Sequence, residues 1–333
     1  MPRRRELGRG ERVIPGLWRL RLPLPFPGVP HCNAWAIAAG DGIVLVDTGM
    51  HEPGSMTELE RALDQVGLSI DQVALVLITH AHVDHWGQAA TICDRTGCEM
   101  WMHPNHEHGY ASATDPALAL ARRIEIGRQS GVPEAVLERY AERLRGMASG
   151  IARVVEPDRP LLPGVEIETD LGVWTVHETP GHAPSHVCLF QAERRLLISG
   201  DHLLGRISLY FDYGWTPDPI GEFLHSLQVV DDLDARLALS GHGKPFIDVH
   251  GHVEANRRLV RERLDAVLDA VREGPKTGLE ITPRIHGEPV TETNASWWLP
   301  ETLCYLKHLE LEGQVSRESE GDLDRWGVPS NKP

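Results

Sequence analysis

The sequence predicts an α/β layered fold, on the order in which its short apolar segments and amphipathic segments recur. Three features carry this. Continuous apolar runs at Ile43–Val46 and Val73–Ile78 have the length and β-branched content of buried strands. Helical spacing follows the first of them, with Leu59, Leu63 and Val66 on one face of Met56–Val66. A second strand-rich stretch, 165–199, then loosely mirrors the first half.

Taken in order, Val13–Leu22 and Asn33–Ala38 read as strands, and Asp41-Gly42 as the turn into Ile43–Val46. After Val73–Ile78, Gly87–Thr96 reads as a helix and Glu99–Met102 as a third short strand. Composition then changes. Ala117–Arg128 and Pro133–Leu144 form helices, Pro133 suiting a first turn, so residues 115–147 read as a helical pair inserted between the two halves. Strands resume at Val165–Glu168, Val173–Glu178, Ser185–Gln191 and Arg195–Ser199. Helix Glu222–Leu233, strand Leu237–Ser240 and the long charged helix Val253–Arg272 follow. Beyond Gly274-Pro275 a small helical module begins, with a helix over Pro300–Glu312 and a short strand after Gly313. The expected division is a catalytic domain at 1–255 and a C-terminal module at 256–333.

Bulk properties narrow the chemistry. With 33 Lys+Arg against 48 Asp+Glu the net charge is −15, which disfavours a polyphosphate partner. The five cysteines are odd in number, and they read as reduced thiols rather than a disulfide framework. No run reaches the roughly 18–20 apolar residues of a membrane span. A cytoplasmic protein with no membrane partner is the expectation, and Arg3–Arg5 reads as a solvated tail. The 18 histidines stand out, because imidazole is the commonest metal ligand.

Five of them fall at loops that follow strands. Val73–Ile78 runs into Thr79-His-Ala-His-Val-Asp-His-Trp-Gly87, which crowds His80, His82, Asp84 and His85 into six positions. So many ligand types in one loop repel or desolvate badly unless a cation joins them. His80 and His82 alternate, so in extended backbone their rings share one side. Further candidates recur as Thr179-Pro-Gly-His182, Ser199-Gly-Asp201 and Ser240-Gly-His-Gly243. In each, a glycine lets the chain turn sharply beside the ligand.

This ordered set resembles the metallo-β-lactamase superfamily, and Val46-Asp47-Thr48-Gly49 is similar to that family's first motif. The likeness runs from about Trp18 to His252. It implies a four-layer αββα sandwich with two divalent metal ions at one edge. By carry-over, His80, His82 and His182 hold the first ion; Asp84, His85 and His242 hold the second; Asp201 bridges both. Asp47 supports the site without binding metal, and His186 and His202 are candidates to support ligands by hydrogen bonds. Imidazole and carboxylate donors without thiolate suit Zn²⁺, with Mn²⁺ or Fe²⁺ as alternatives. Two such ions about 3.5–4 Å apart bring a bridging water toward hydroxide at neutral pH, to attack a carbonyl or phosphoryl centre. Asp84 is the candidate to orient the hydroxide and pass its proton to the leaving group.

The ligand pattern alone leaves the substrate open. Asp201 stands where subclass B1 β-lactamases carry cysteine, and His82 where flavodiiron proteins carry glutamate. The downstream segments resemble the glyoxalase II-like group with a winged-helix-like C-terminal module. That module carries a net −3 over 256–333 and reads as a packing or homodimerisation element. A small thioester is the first expectation for the substrate and a lactone or carboxylic ester the second. The rivals are a metal-dependent endoribonuclease or phosphodiesterase and a β-lactamase-like amide hydrolase. In Ile207–Trp215, Tyr210, Tyr213 and Trp215 are candidate substrate-binding residues, with core packing the competing reading. The insertion reads as a lid over the pocket, with a surface helical pair the competing reading. His103, His106 and His108 are expected to have structural or solvent roles.

Overall fold

In a computed structural model, residues 7–26, 28–147, 149–292 and 294–329 are described, so the Arg3–Arg5 run lies outside the described residues. The chain opens with β1 (Arg9–Ile14), β2 (Leu17–Phe26), β3 (Val29–Ala39) and β4 (Gly42–Val46). Then come α1 (Ser55–Asp64), β5 (Val73–Ile78), α2 (Val83–Trp86), α3 (Ala89–Thr96) and β6 (Glu99–Met102). Helices α4 (Glu107–Thr114), α5 (Pro116–Gln129) and α6 (Glu134–Arg145) follow, and β7 (Arg159–Pro160) completes a seven-stranded sheet in sequential order. The second half supplies β8 (Glu166–Thr169), β9 (Gly172–Glu178), β10 (Val187–Gln191), β11 (Leu196–Gly200), α7 (Pro219–Asp232), β12 (Leu237–Ser240) and β13 (Phe246–Ile247). These strands make a six-stranded sheet in the order β13-β12-β11-β10-β9-β8.

Burial reveals four layers. Side chains from the facing sides of both sheets form one core, with Trp35, Val46 and Leu77 from the first meeting Trp174, Leu189 and Ile198 from the second. A second core lies between the first sheet and α1 and α3, through Leu59, Leu63 and Ile92. The outer face of the second sheet packs on α7 and the long helix α8 (Val249–Arg272), through Phe223, Leu227, Val253 and Val260. That is an α–β–β–α sandwich, as expected. Each half alternates apolar residues toward the shared centre and toward its own helices, which is what sheets buried on both faces require.

Several local expectations need correction. Val13–Leu22 is two strands, because Gly16 (φ +82°) turns the chain between β1 and β2. The helix read over Gly87–Thr96 is α3, which starts two residues later at Ala89, and the short helix α2 precedes it. The helix read over Pro300–Glu312 is α10 (Ala295–Leu311), preceded by α9 (Gly278–His286), with Pro300 inside it. The lone strand after Gly313 is a hairpin, β14 (Ser316–Glu320) with β15 (Leu323–Gly327). The expected division at 255/256 falls within α8. The insertion holds two helices as read, but α4 precedes them, and Leu279 N–H donates to the Ser130 carbonyl (3.0 Å), tying α5 to α9. Among the described residues no helix is long and apolar enough to cross a membrane.

Candidate metal centre

The ligand loops sit where β5, β9, β11 and β12 end, at one edge of the sandwich. Strand β5 delivers Thr79 and His80; extended backbone at His82 then leads into the short helix α2, which turns Asp84 and His85 back toward the same spot. Trp86 pins this turn by donating its indole N–H to the Ala81 carbonyl (3.1 Å). Residues with hydrogen bonds of this kind are held in single rotamers, as a metal site needs.

Three clusters on the loops gather the seven candidate residues. His80, His82 and His182 bring one donor atom each within 4.8 Å of one another, as do Asp84, His85 and His242, and as do His80, His85 and Asp201. His82 Nδ1 and His182 Nε2 stand 3.0 Å apart, close to the edge of a tetrahedron with 2.0–2.1 Å bonds, about 3.3 Å. Asp201 lies between the two groups, its Oδ2 3.1 Å from His242 Nε2 and 3.8 Å from His182 Nε2, its Oδ1 3.6 Å from His85 Nε2. Asp84 Oδ2 is 3.3 Å from His242 Nε2. His80 Nε2, His85 Nε2 and Asp201 Oδ1 are buried without a hydrogen-bond partner, and all three face this shared space. Buried polar atoms are normally paired, so these orphans fit a cation.

The far side of each imidazole is occupied. His85 Nδ1 donates to Asp47 (2.8 Å), His182 Nδ1 to the Tyr210 carbonyl (2.9 Å) and His242 Nδ1 to the His31 carbonyl (2.9 Å). His80 Nδ1 meets Thr79 Oγ1 (3.0 Å), whose hydroxyl donates to Asp47. Asp47 also accepts the Thr79 N–H (2.8 Å), so one carboxylate holds both ends of the His80–His85 loop. His186 Nε2 accepts the backbone N–H of Asp201 (3.1 Å), which fixes the bridging candidate. His202 gives only its backbone to this arrangement; its ring packs on Phe223 (4.9 Å between centroids). Burial disfavours the charged form of Asp84 and Asp201, yet the neighbouring imidazoles outweigh it and hold both carboxyls below the usual range.

The substrate-side candidates separate. Tyr210 lies beside the ligands, with ring centroids 5.9 Å from His82 and 5.8 Å from His182, and meets Trp297 of α10 at 5.7 Å. Phe26 flanks Trp297 at 6.0 Å. Trp215 stands 6.3 Å from His108, with the Arg122 guanidinium over its ring. Tyr213 instead packs against the core of the second sheet and C-terminal helices. His103 pairs with Glu178 (2.8 Å), and His108 is buried and bonds Asp212 Oδ2 through Nδ1 (2.9 Å). Asp212 in turn accepts from His82 Nε2 (2.9 Å). Asp212, Trp297 and the pair Arg19 and Asn33 were not anticipated. Asn33 Nδ2 donates to the Ser240 and Gly243 carbonyls (2.7 and 3.0 Å) and so clamps the His242 loop. The aromatic run around Asp212 was the signal that could have flagged it, as a lone acid among Tyr210, Phe211 and Tyr213.

Comparison with known proteins agrees with this geometry. The metallo-β-lactamase superfamily model matches residues 27–242, and the chain belongs to that family. A probable metallo-hydrolase, YqjP of Bacillus subtilis, is 26% identical over 311 residues, covering 91% of this chain and 95% of the relative. An atrochrysone carboxyl ACP thioesterase of Aspergillus chevalieri is 24% identical over 314 residues, 90% of this chain and 82% of that one. The crystal structure of TTHA1429, a metallo-β-lactamase family protein of Thermus thermophilus, superposes with a TM-score of 0.81 at 27% identity over 96% of this chain and all of that one. The chain is therefore a metallo-hydrolase-type protein with a His/Asp cluster able to bind divalent metal.

Proposed function

We propose that the chain is a dinuclear metal-dependent hydrolase of small acyl substrates, a thioester first and a lactone or carboxylic ester next. The observation that carries this is the convergence of all seven ligand side chains, with three buried donor atoms left unpaired toward their common centre. His80, His82 and His182 would hold one ion and Asp84, His85 and His242 the other, with Asp201 shared. Zn²⁺ suits this oxygen and nitrogen donor set best, with Mn²⁺ and Fe²⁺ as alternatives. When bound, such a pair supplies a water-derived nucleophile at neutral pH and polarises the acyl oxygen.

The chain's own groups do the rest. Asp84 Oδ2 faces the shared space and can take the nucleophile's proton and return it to the departing thiol or alcohol. Tyr210, Trp297 and Phe26 form an aromatic wall beside the His82/His182 side, suited to an apolar acyl group. The net −15 charge ranks an acyl substrate above RNA, and the relative named as a thioesterase supports the thioester. A cytoplasmic location and a homodimer built through the C-terminal module complete the reading.

A panel of short thioesters, lactones, β-lactams, phosphodiesters and single-stranded RNA, each with Zn²⁺, Mn²⁺ or Fe²⁺, tests it. Chelator-sensitive turnover of thioesters or esters is expected. Turnover of the phosphodiesters or RNA alone would replace the acyl reading with a nuclease.

A further inference from the structure

Every ligand imidazole is gripped at the nitrogen that faces away from the metal space, but His82 is gripped differently. His80, His85, His182 and His242 turn Nδ1 outward. His82 turns Nε2 outward and presents Nδ1 to His182. A neutral imidazole has one N–H and one lone pair, and the outward bond decides which nitrogen is free for metal.

The outward partner of His82 is Asp212, and nothing in the ligand motifs accounts for it. Asp212 lies in the segment between β11 and α7, with its side chain only 12% exposed. Its Oδ2 receives His82 Nε2 (2.9 Å) and His108 Nδ1 (2.9 Å), and its Oδ1 receives the Tyr210 hydroxyl (3.2 Å). Its backbone N–H donates to the His182 carbonyl (3.2 Å), which ties the segment to another ligand loop. Behind it, His108 Nε2 meets Ser185 Oγ (2.8 Å), and that oxygen already accepts the Ala81 N–H (2.9 Å).

This chain of contacts has one consistent assignment of protons. An ionised carboxylate only accepts, so both imidazoles point N–H groups at Asp212. His108 Nε2 must then accept, and the Ser185 hydroxyl must donate to it. Ser185 in turn takes the N–H of Ala81, between the ligands His80 and His82. The network closes on the loop it supports, and every member is satisfied.

We propose that Asp212, braced by His108 of α4 and by Ser185, is the positioning residue for the first metal. It fixes His82 as the Nε2–H tautomer with its ring turned so that Nδ1 meets His80 Nε2 and His182 Nε2. This rests on the dinuclear reading above. It gives α4 a function: the helix that precedes the insertion carries the brace for a ligand on a different loop. It also explains why the one ligand histidine without a backbone, Thr79 or Asp47 anchor is still held.

The test is metal retention, read without turnover. Wild type and variants are loaded with Zn²⁺, titrated with a competing chelator, and the two ions followed as separate phases, assigned by the phase lost in His182→Ala and in His242→Ala. In Asp212→Asn the charge is lost: one neutral amide oxygen in the place of Oδ2 must accept both imidazole N–H groups while the NH₂ faces the Tyr210 hydroxyl, so the charge-assisted grip on His82 weakens. The expected result is about a 10–100-fold weaker hold on the His182-dependent ion, the range for such supporting groups, with the other phase unchanged. Co²⁺-loaded protein should lose the absorption of that site alone. Ser185→Ala should weaken the same phase by less, and it carries the test if Asp212→Asn does not fold. Equal retention of both ions in a folded Asp212→Asn, or in Ser185→Ala where that must stand in, overturns the proposal. Loss of both ions to the same degree also overturns it, since that marks a general structural role. A wild type that holds no metal overturns the dinuclear reading itself, and is told apart by its failure before any substitution.

Discussion

Asp47→Asn isolates the role of the buried carboxylate under the second ligand group. Asp47 is 1% exposed and accepts from the Thr79 N–H, the Thr79 hydroxyl and His85 Nδ1. Asparagine keeps the volume and tolerates the left-handed backbone of this position (φ +62°), so the chain need not move. It has one acceptor oxygen where aspartate has two. If that oxygen stays on Thr79, the NH₂ faces His85 Nδ1, which must then give up its proton and accept; Nε2 becomes N–H and loses its lone pair for metal. If the oxygen turns to His85, the NH₂ opposes the buried Thr79 N–H. The second arrangement leaves a buried donor without its partner, worth about 1–3 kcal/mol, and the first takes from His85 the lone pair that metal needs. For a chain of 333 residues that lost partner is a fall of roughly 1.5–4 °C in melting temperature. The assay is thermal melting of metal-free protein together with metal content after dialysis. The variant should fold, melt a few degrees lower and hold about one ion fewer than wild type. Unchanged melting with full metal content would refute the reasoning from Asp47 to His85.

Three further outcomes are expected. Gly241→Ala should cost metal without removing a ligand, because a Cβ there would lie 2.1 Å from Asp201 Oδ1 and 2.7 Å from His85 Cε1; metal content near wild type contradicts this. Trp297→Ala should raise KM for apolar acyl substrates several-fold with kcat little changed, since the ring contacts Tyr210 and Phe26 beside the ligands rather than the ligands themselves; an unchanged KM removes Trp297 from the substrate wall. His286 is held down to about 4 from 6.5 by burial, with Arg263 adding to the effect. Between those values the unfolded chain binds the extra proton, so stability is present above about 6.5 and is lost as pH falls toward 4. His286→Gln should flatten melting temperature against pH over that window, and an identical slope counts against the assignment.

The candidate metal ligands were legible because each sits in a short motif that carries its own chemistry: alternating histidines after a strand, or a glycine beside a candidate at a strand end. Buried strands such as Val73–Ile78 and Leu237–Ser240 were equally plain, being continuous apolar runs with sharp edges. What escaped depends on contacts between distant segments. Asp212 finds His82 across 130 residues, and Asn33 finds Gly243 across 210, so neither has a local pattern. His108 looked like one of a polar histidine tract until α4 turned it inward against Ser185. Pro300 read as a helix start, yet α10 continues through it, with Leu299, Leu303 and Leu306 packed in the core on both sides of the proline. Tertiary packing there outweighs the local penalty. Tyr213 parts from Tyr210 for the opposite reason: a local aromatic cluster divides between site and core once the loop folds.

The dinuclear acyl-hydrolase reading stands or falls on metal add-back to chelated protein, followed by release of thiol from a short acyl thioester. No turnover is expected without metal, then a rise that levels off at two equivalents of Zn²⁺ per chain. Full binding of two equivalents with no hydrolysis of any acyl substrate, or equal turnover in the metal-free protein, would contradict it.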